Sequence, residues 1–126
     1  MDEIKKICSD LCLPAGDDFM QDWAYELPDE YRTEEWLGKY IYAYLNNHYS
    51  LRGKKELMAL SLDVSNDLLS SGTLSIKGVI SDVLSVLYDN HRDHSDLIDY
   101  WSLENEPLED GFALTSEVRL LKERLK

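Results

Sequence analysis

Six apolar residues after Thr33, namely Trp36, Leu37, Tyr40, Ile41, Tyr44 and Leu45, recur at i, i+1, i+4, i+5, i+8 and i+9. That spacing lines one face of an α-helix, whereas a strand would scatter the same residues over both its faces. Thr33 suits the N-cap position, and Glu34 and Glu35 suit the positive end of the helix dipole. The same periodicity runs through most of the chain. Asp2 can cap a first helix that reaches about Cys12 and stops before Pro14, with Gly16 at the break. Asp17 or Asp18 can start a short helix that turns Phe19, Met20, Trp23 and Leu27 inward and ends at Pro28.

After a break over residues 48 to 53, residues 54 to 71 read as a helix on Leu57, Leu60, Val64 and Leu68, widened by Met58, Leu62 and Leu69. Gly72 fits the left-handed position that closes such a helix. Ser75 can cap the next, where Ile76, Val79, Ile80, Val83, Leu84, Leu87 and Tyr88 cover so much circumference that a central place in the core is expected. Gly78, early in that helix, is expected to permit close packing. A short helix from Asp93 or Ser95 carries Leu97, Ile98, Tyr100 and Trp101, and a last one from Thr115 or Ser116 buries Val118, Leu121 and Leu125. No Asn-Gly or Asp-Gly pair joins two alternating apolar runs, and Asp110-Gly111 reads as a turn. The fold class predicted is all-α, a compact bundle or stacked antiparallel pairs of about six to seven helices. With 126 residues, 44% of them hydrophobic, a single domain spanning residues 1–126 is expected.

The acidity is segregated. Of a net charge of -12, eight carboxylates between residues 17 and 35 oppose Arg32 alone, and eight between residues 89 and 110 oppose Arg92 alone. The rest of the chain is mildly positive. In the first stretch Asp17, Asp18, Glu34 and Glu35 are accounted for by helix starts. Asp22, Glu26, Asp29 and Glu30 are left as a secondary patch. The second stretch, Asp89, Asp93, Asp96, Asp99, Glu104, Glu106, Glu109 and Asp110, runs beyond a helix and is interleaved with Tyr88, Tyr100 and Trp101. Carboxylates that steer and aromatics that anchor are what a surface for a basic protein partner requires. In a helix from Ser95, Leu97, Ile98 and Trp101 form one stripe, so Asp96, Asp99 and Tyr100 face the partner.

Other functions are disfavoured. The Lys and Arg clusters that grip phosphate are missing, which argues against direct nucleic acid binding. No apolar run approaches the roughly 20 residues of a membrane span, and Met1-Asp2-Glu3 lacks the start of a signal peptide, so a cytoplasmic protein is expected. Cys8 and Cys12 share the apolar face of Ile4, Ile7 and Leu11 and are expected as buried free thiols. Their spacing to His91 and His94 does not match a zinc site, and no metal or cofactor is expected. His91-Arg92-Asp93 echoes the kinase catalytic loop, but Ile98 stands where its asparagine belongs. Phosphate loops, dinucleotide fingerprints, nucleophile elbows and metalloprotease helices are absent, and His48, His91 and His94 are expected to be exposed or structural. The expectation is a protein that is not an enzyme.

Ser95-Asp96-Leu97-Ile98-Asp99-Tyr100 resembles the Ser-Asp-Leu-Ile-x-Tyr segment of the immunity proteins that neutralise nuclease colicins. In that family a short helix presents a tyrosine to the toxin, which implicates Asp96 and Tyr100. Asp99 stands where the family has another tyrosine, and Trp101 where it has a proline. More widely, the chain is similar to helical immunity proteins of contact-dependent growth inhibition and other polymorphic toxin systems. The likeness is carried by Asp18-Phe19-Met20-Gln21-Asp22-Trp23, Glu56-Leu57-Met58-Ala59-Leu60, Asn66-Asp67-Leu68-Leu69, Tyr100-Trp101 and Glu109-Asp110-Gly111-Phe112-Ala113-Leu114-Thr115. The resemblance implies a stoichiometric inhibitor of one cognate toxin domain, a basic nuclease. The alternatives are an adaptor for a partner that is not a toxin, or a small metal-dependent enzyme built on His91 and His94.

Overall fold

The computed structural model describes residues 3–13, 28–72, 78–103, 107 and 111–125. Among the described residues every regular element is helical: α1 (Glu3–Leu11), α2 (Glu34–Asn46), α3 (Leu51–Ser70), α4 (Val79–Asp89), α5 (Ser95–Ser102) and α6 (Thr115–Arg124). Short 3-10 turns occupy Asp29–Tyr31 and His91–His94. The protein is all-α, as predicted. The chain divides into two compact units, Met1–Val64 and Ser65–Lys126, with the boundary inside α3. The expected cap at Asp2, the helix between Asp17 and Leu27 and the cap at Ser75 fall outside the described residues.

In the first unit α2 begins as expected, with the Thr33 hydroxyl accepting from the Trp36 amide at 3.2 Å. Leu37, Tyr40, Ile41 and Tyr44 are buried, but Leu45 is exposed, so the apolar stripe is narrower than its sequence. Tyr40 donates to the Tyr31 carbonyl at 2.6 Å and pins the Asp29–Tyr31 turn onto α2. Arg32 pairs with Asp63 of α3. The Tyr49 hydroxyl donates to Asp10 at 2.7 Å, joining the α2–α3 connection to α1. Cys8 is buried beside Ile7, whereas Cys12 is exposed, a correction to the expected pair of buried thiols. The reason is local: α1 ends at Leu11 and Cys12 turns left-handed (φ 58°), leaving the helical face it was read on.

α3 starts at Leu51, three residues before its expected start. Ser50 caps it, its hydroxyl accepting from the Gly53 amide at 3.3 Å, so the glycine read as a break lies within the first turn. Between Leu57 and Ser65 α3 is buried on nearly every side, including Ser61, whose hydroxyl donates to the Leu57 carbonyl at 2.8 Å. It closes through Gly72 at φ +74°, as expected.

In the second unit α4 is one-sided: Ile80, Val83, Val86 and Leu87 are buried, while Ser81, Asp82, Ser85 and Asp89 are exposed. Its expected central place is not what the burial shows. Gly78 precedes α4 at φ +79° and ψ -132°, and a Cβ there would meet nothing within 4 Å. Its role is therefore conformational and not close packing. α6 packs against both α4 and α5. It buries Val118 and Leu121, with Leu125 just beyond its end half-buried.

Candidate functional site

α5 runs for eight residues and turns Ile98 and Trp101 inward while Asp96, Asp99 and Tyr100 face out, as the spacing predicts, but Leu97 of the expected inward stripe is only half-buried. Both ends are held. At the start, the His91 ring donates through Nδ1 to the Tyr88 carbonyl at 2.9 Å and fixes the Asn90 corner, and His94 is buried. At the end, Leu103 is left-handed (φ 43°), and Arg119 of α6 donates to the carbonyls of Ser102, at 2.6 Å, and Leu103. A guanidinium thus satisfies carbonyls that lack a partner inside the helix and complements the negative end of its dipole. Lys122, one turn along α6, donates to Asp99 at 3.0 Å.

Three aromatic rings form the centre of the site. Trp101 is buried, and Phe112 meets it edge-on with ring centres 4.9 Å apart. Tyr100 stacks on Phe112 at 5.8 Å and 29°. Tyr100 and Phe112 remain 49% and 38% exposed, so one face of a braced aromatic pair is open to a partner. Sequence reasoning did not single out Phe112 as a site residue. Its place is set by a tight turn: its amide donates to the Thr115 hydroxyl at 2.9 Å, and its carbonyl accepts from the Thr115 amide at 3.0 Å. A Cβ at Gly111 would stand 3.1 Å from the Thr115 side chain, which favours glycine there. The Asn66 side chain accepts from the Leu114 amide at 3.0 Å and anchors the same turn to α3. The signal that could have found Phe112 is an aromatic beside a glycine, just ahead of a threonine able to cap a helix.

The carboxylates expected to bind a partner are distributed unevenly. Asp93, Asp96 and Asp99 are exposed on α5 and the turn before it. Asp89 is exposed at the end of α4, where it lines a groove between α4 and α6 and not the face of α5. Glu104, Glu106, Glu109 and Asp110 lie outside the described residues, as do Asp22 and Glu26 of the secondary patch. Asp29 and Glu30 are exposed in the 3-10 turn of the first unit.

An exposed aromatic pair beside carboxylates has the surface chemistry to contact a basic protein. Among the described residues no three His, Cys, Asp or Glu side chains are grouped to hold a metal ion. No helix among them is long and apolar enough to cross a membrane. Comparison with protein-family models, with curated proteins and with solved structures finds no match to this chain.

Proposed function

We propose that the chain is an immunity protein that binds a cognate toxin domain, a basic nuclease, and blocks it stoichiometrically in the cytoplasm of the producing cell. The observation that carries this reading is the exposed Tyr100–Phe112 stack, backed by buried Trp101 and set beside Asp96 and Asp99. The short helix with an outward tyrosine fits the role implied by the likeness of residues 95 to 100 to nuclease-colicin immunity proteins. Carboxylates attract a basic toxin from a distance and raise its association rate by roughly 10- to 1,000-fold at low salt. Tyr100 and Phe112 then supply apolar area at little entropic cost, because their rings are already braced. The protein performs no bond chemistry; occupying the toxin's basic surface excludes the polyanionic substrate.

The test is protection. Cells expressing a basic nuclease toxin domain that this chain captures are expected to grow when they also make the wild-type chain. Tyr100→Ala and Phe112→Ala are each expected to weaken toxin binding by about 30-fold or more, the scale of a hot-spot residue. Asp96→Ala is expected to slow association, and Glu56→Ala, on α3, to leave binding unchanged. Absence of protection by the wild-type chain refutes the role, and equal binding by all four folded variants refutes the surface.

A further inference from the structure

α4 and α6 leave between them a groove of about 760 Å³, lined on its apolar side by Leu84, Tyr88 and Leu120. Leu120 is 59% exposed, the most uncovered leucine of the second unit's described residues. Asp89, Glu117 and Glu123 line the same groove. The basic residue lining it, Arg124, is drawn over the Tyr88 ring with its guanidinium carbon 4.7 Å from the ring centre. The groove therefore combines an apolar floor with an excess of carboxylates. It is also distinct from the aromatic stack. At 100° per residue, Arg119 and Lys122 point from α6 towards α5, whereas Leu120 and Arg124 occupy roughly the opposite side.

We propose that this groove docks a basic amphipathic helix of a protein partner. Aliphatic residues at i, i+3 or i+4, and i+7 would lie over Leu84, Tyr88 and Leu120, with flanking Lys or Arg against Asp89 and Glu117. The dimensions suit this occupant: the 11 residues of α4 span about 16 Å, which matches three turns of a second helix laid alongside. A small molecule suits it less, because a trough open on one side cannot enclose most of a ligand's surface. The charge selects a basic segment over an acidic one.

The probe is a synthetic helix of about 14 residues with leucine at i, i+3, i+4 and i+7 spacing and lysine elsewhere. Controls are a scrambled peptide of the same composition and a version with glutamate in place of lysine. The amphipathic Leu/Lys helix is expected to bind at least tenfold more tightly than either control. Leu120→Gln, an exposed and structurally mild change, is expected to weaken it by roughly tenfold, the worth of one buried leucine. Tyr100→Ala is expected to leave it unchanged. Equal binding of the scrambled peptide, no effect of Leu120→Gln, or an equal loss with Tyr100→Ala overturns the proposal in favour of bulk charge attraction. A dimer in sedimentation that Leu120→Gln dissociates overturns it in favour of a second copy of this chain. None of these outcomes depends on the partner of the α5 surface being a toxin.

Discussion

Replacing Arg119 by methionine tests whether one guanidinium holds the α5 surface in place. Methionine keeps most of the aliphatic stem, so the loss is of hydrogen bonds and not of packing. Arg119 donates to the Ser102 carbonyl at 2.6 Å and to that of Leu103, both at a helix end where no intrahelical donor remains. A hydrogen bond to a charged group contributes about 1.5 to 3 kcal/mol. Ser102 is buried, so its bond counts at about 2 kcal/mol. Leu103 is half-exposed, and water recovers part of its bond, leaving about 1 kcal/mol. The expected cost is thus about 3 kcal/mol, a substantial part of the 5 to 15 kcal/mol typical of a small protein. In urea unfolding followed by far-UV circular dichroism, with a slope of about 2 kcal/mol per molar, the midpoint should fall by about 1.5 M at constant slope. Lys122→Met is the comparison. Its partner Asp99 is 68% exposed at the side chain, and such a pair contributes under about 1 kcal/mol. A midpoint change below about 0.3 M for Arg119→Met, or one no larger than that of Lys122→Met, refutes the reasoning.

Tyr40 links stability to alkaline pH. Burial pushes its phenol well above the ordinary value of 10.0, against a weaker downward pull from Arg32. Its contribution is therefore complete below about pH 10 and is lost above it at about 1.4 kcal/mol per pH unit, until the folded form also ionises. Tyr40→Phe should remove that slope and, by orphaning the Tyr31 carbonyl, cost about 1 to 2 kcal/mol at neutral pH. Parallel stability–pH curves for the two proteins above pH 10 would contradict this. Gly78→Ala should destabilise by about 1 to 3 kcal/mol through backbone strain alone, as measured by thermal unfolding, since the space around a Cβ is open. A neutral result would mean that the turn before α4 relaxes. Iodoacetamide should modify one thiol, Cys12, in the native protein and both after denaturation, with peptide mass mapping as the readout. Prior labelling of Cys8 would contradict the burial.

Local sequence signals were sufficient for the helix ends set by short-range hydrogen bonds. Thr33 and Gly72 could be read because each cap involves residues within a few positions of itself. Gly53 is ambiguous in sequence because the same residue type serves as a helix stop or a tolerated first-turn position. The cap at Ser50 decides between them. Leu45 was misassigned because periodicity gives the direction of an apolar stripe and not its width. It lies about 100° from the line through Leu37, Tyr40 and Tyr44, where coverage depends on neighbouring elements. Tyr100 was legible from the alternation within α5. Phe112 was not, since its stacking on Tyr100 is a contact across 12 positions and the turn that aims it depends on Thr115 and Asn66. Asp89 is near the α5 carboxylates in sequence alone, and the corner at Asn90 separates them.

In the proposed role, charge and aromatic area act on different steps of binding, and α6 ties them together. Lys122 already partners Asp99, so that carboxylate brings less net field than its sequence position suggests. Asp93, exposed on the turn before α5, carries relatively more of the steering at this face. Steering acts over about a Debye length and is screened by salt, so it governs how fast a basic partner arrives. The Tyr100–Phe112 stack acts only at contact and governs how long the partner stays. Raising salt should then slow association with little change in dissociation, whereas Tyr100→Ala should do the reverse. Arg119 belongs to the second step although it is outside the ring stack, because the end of α5 that bears Tyr100 and Trp101 is held through its two carbonyl contacts. An acidic surface without that bracing would attract many basic proteins and retain none of them for long; in the proposed role the buried Trp101 and the Arg119 clamp would turn attraction into selectivity.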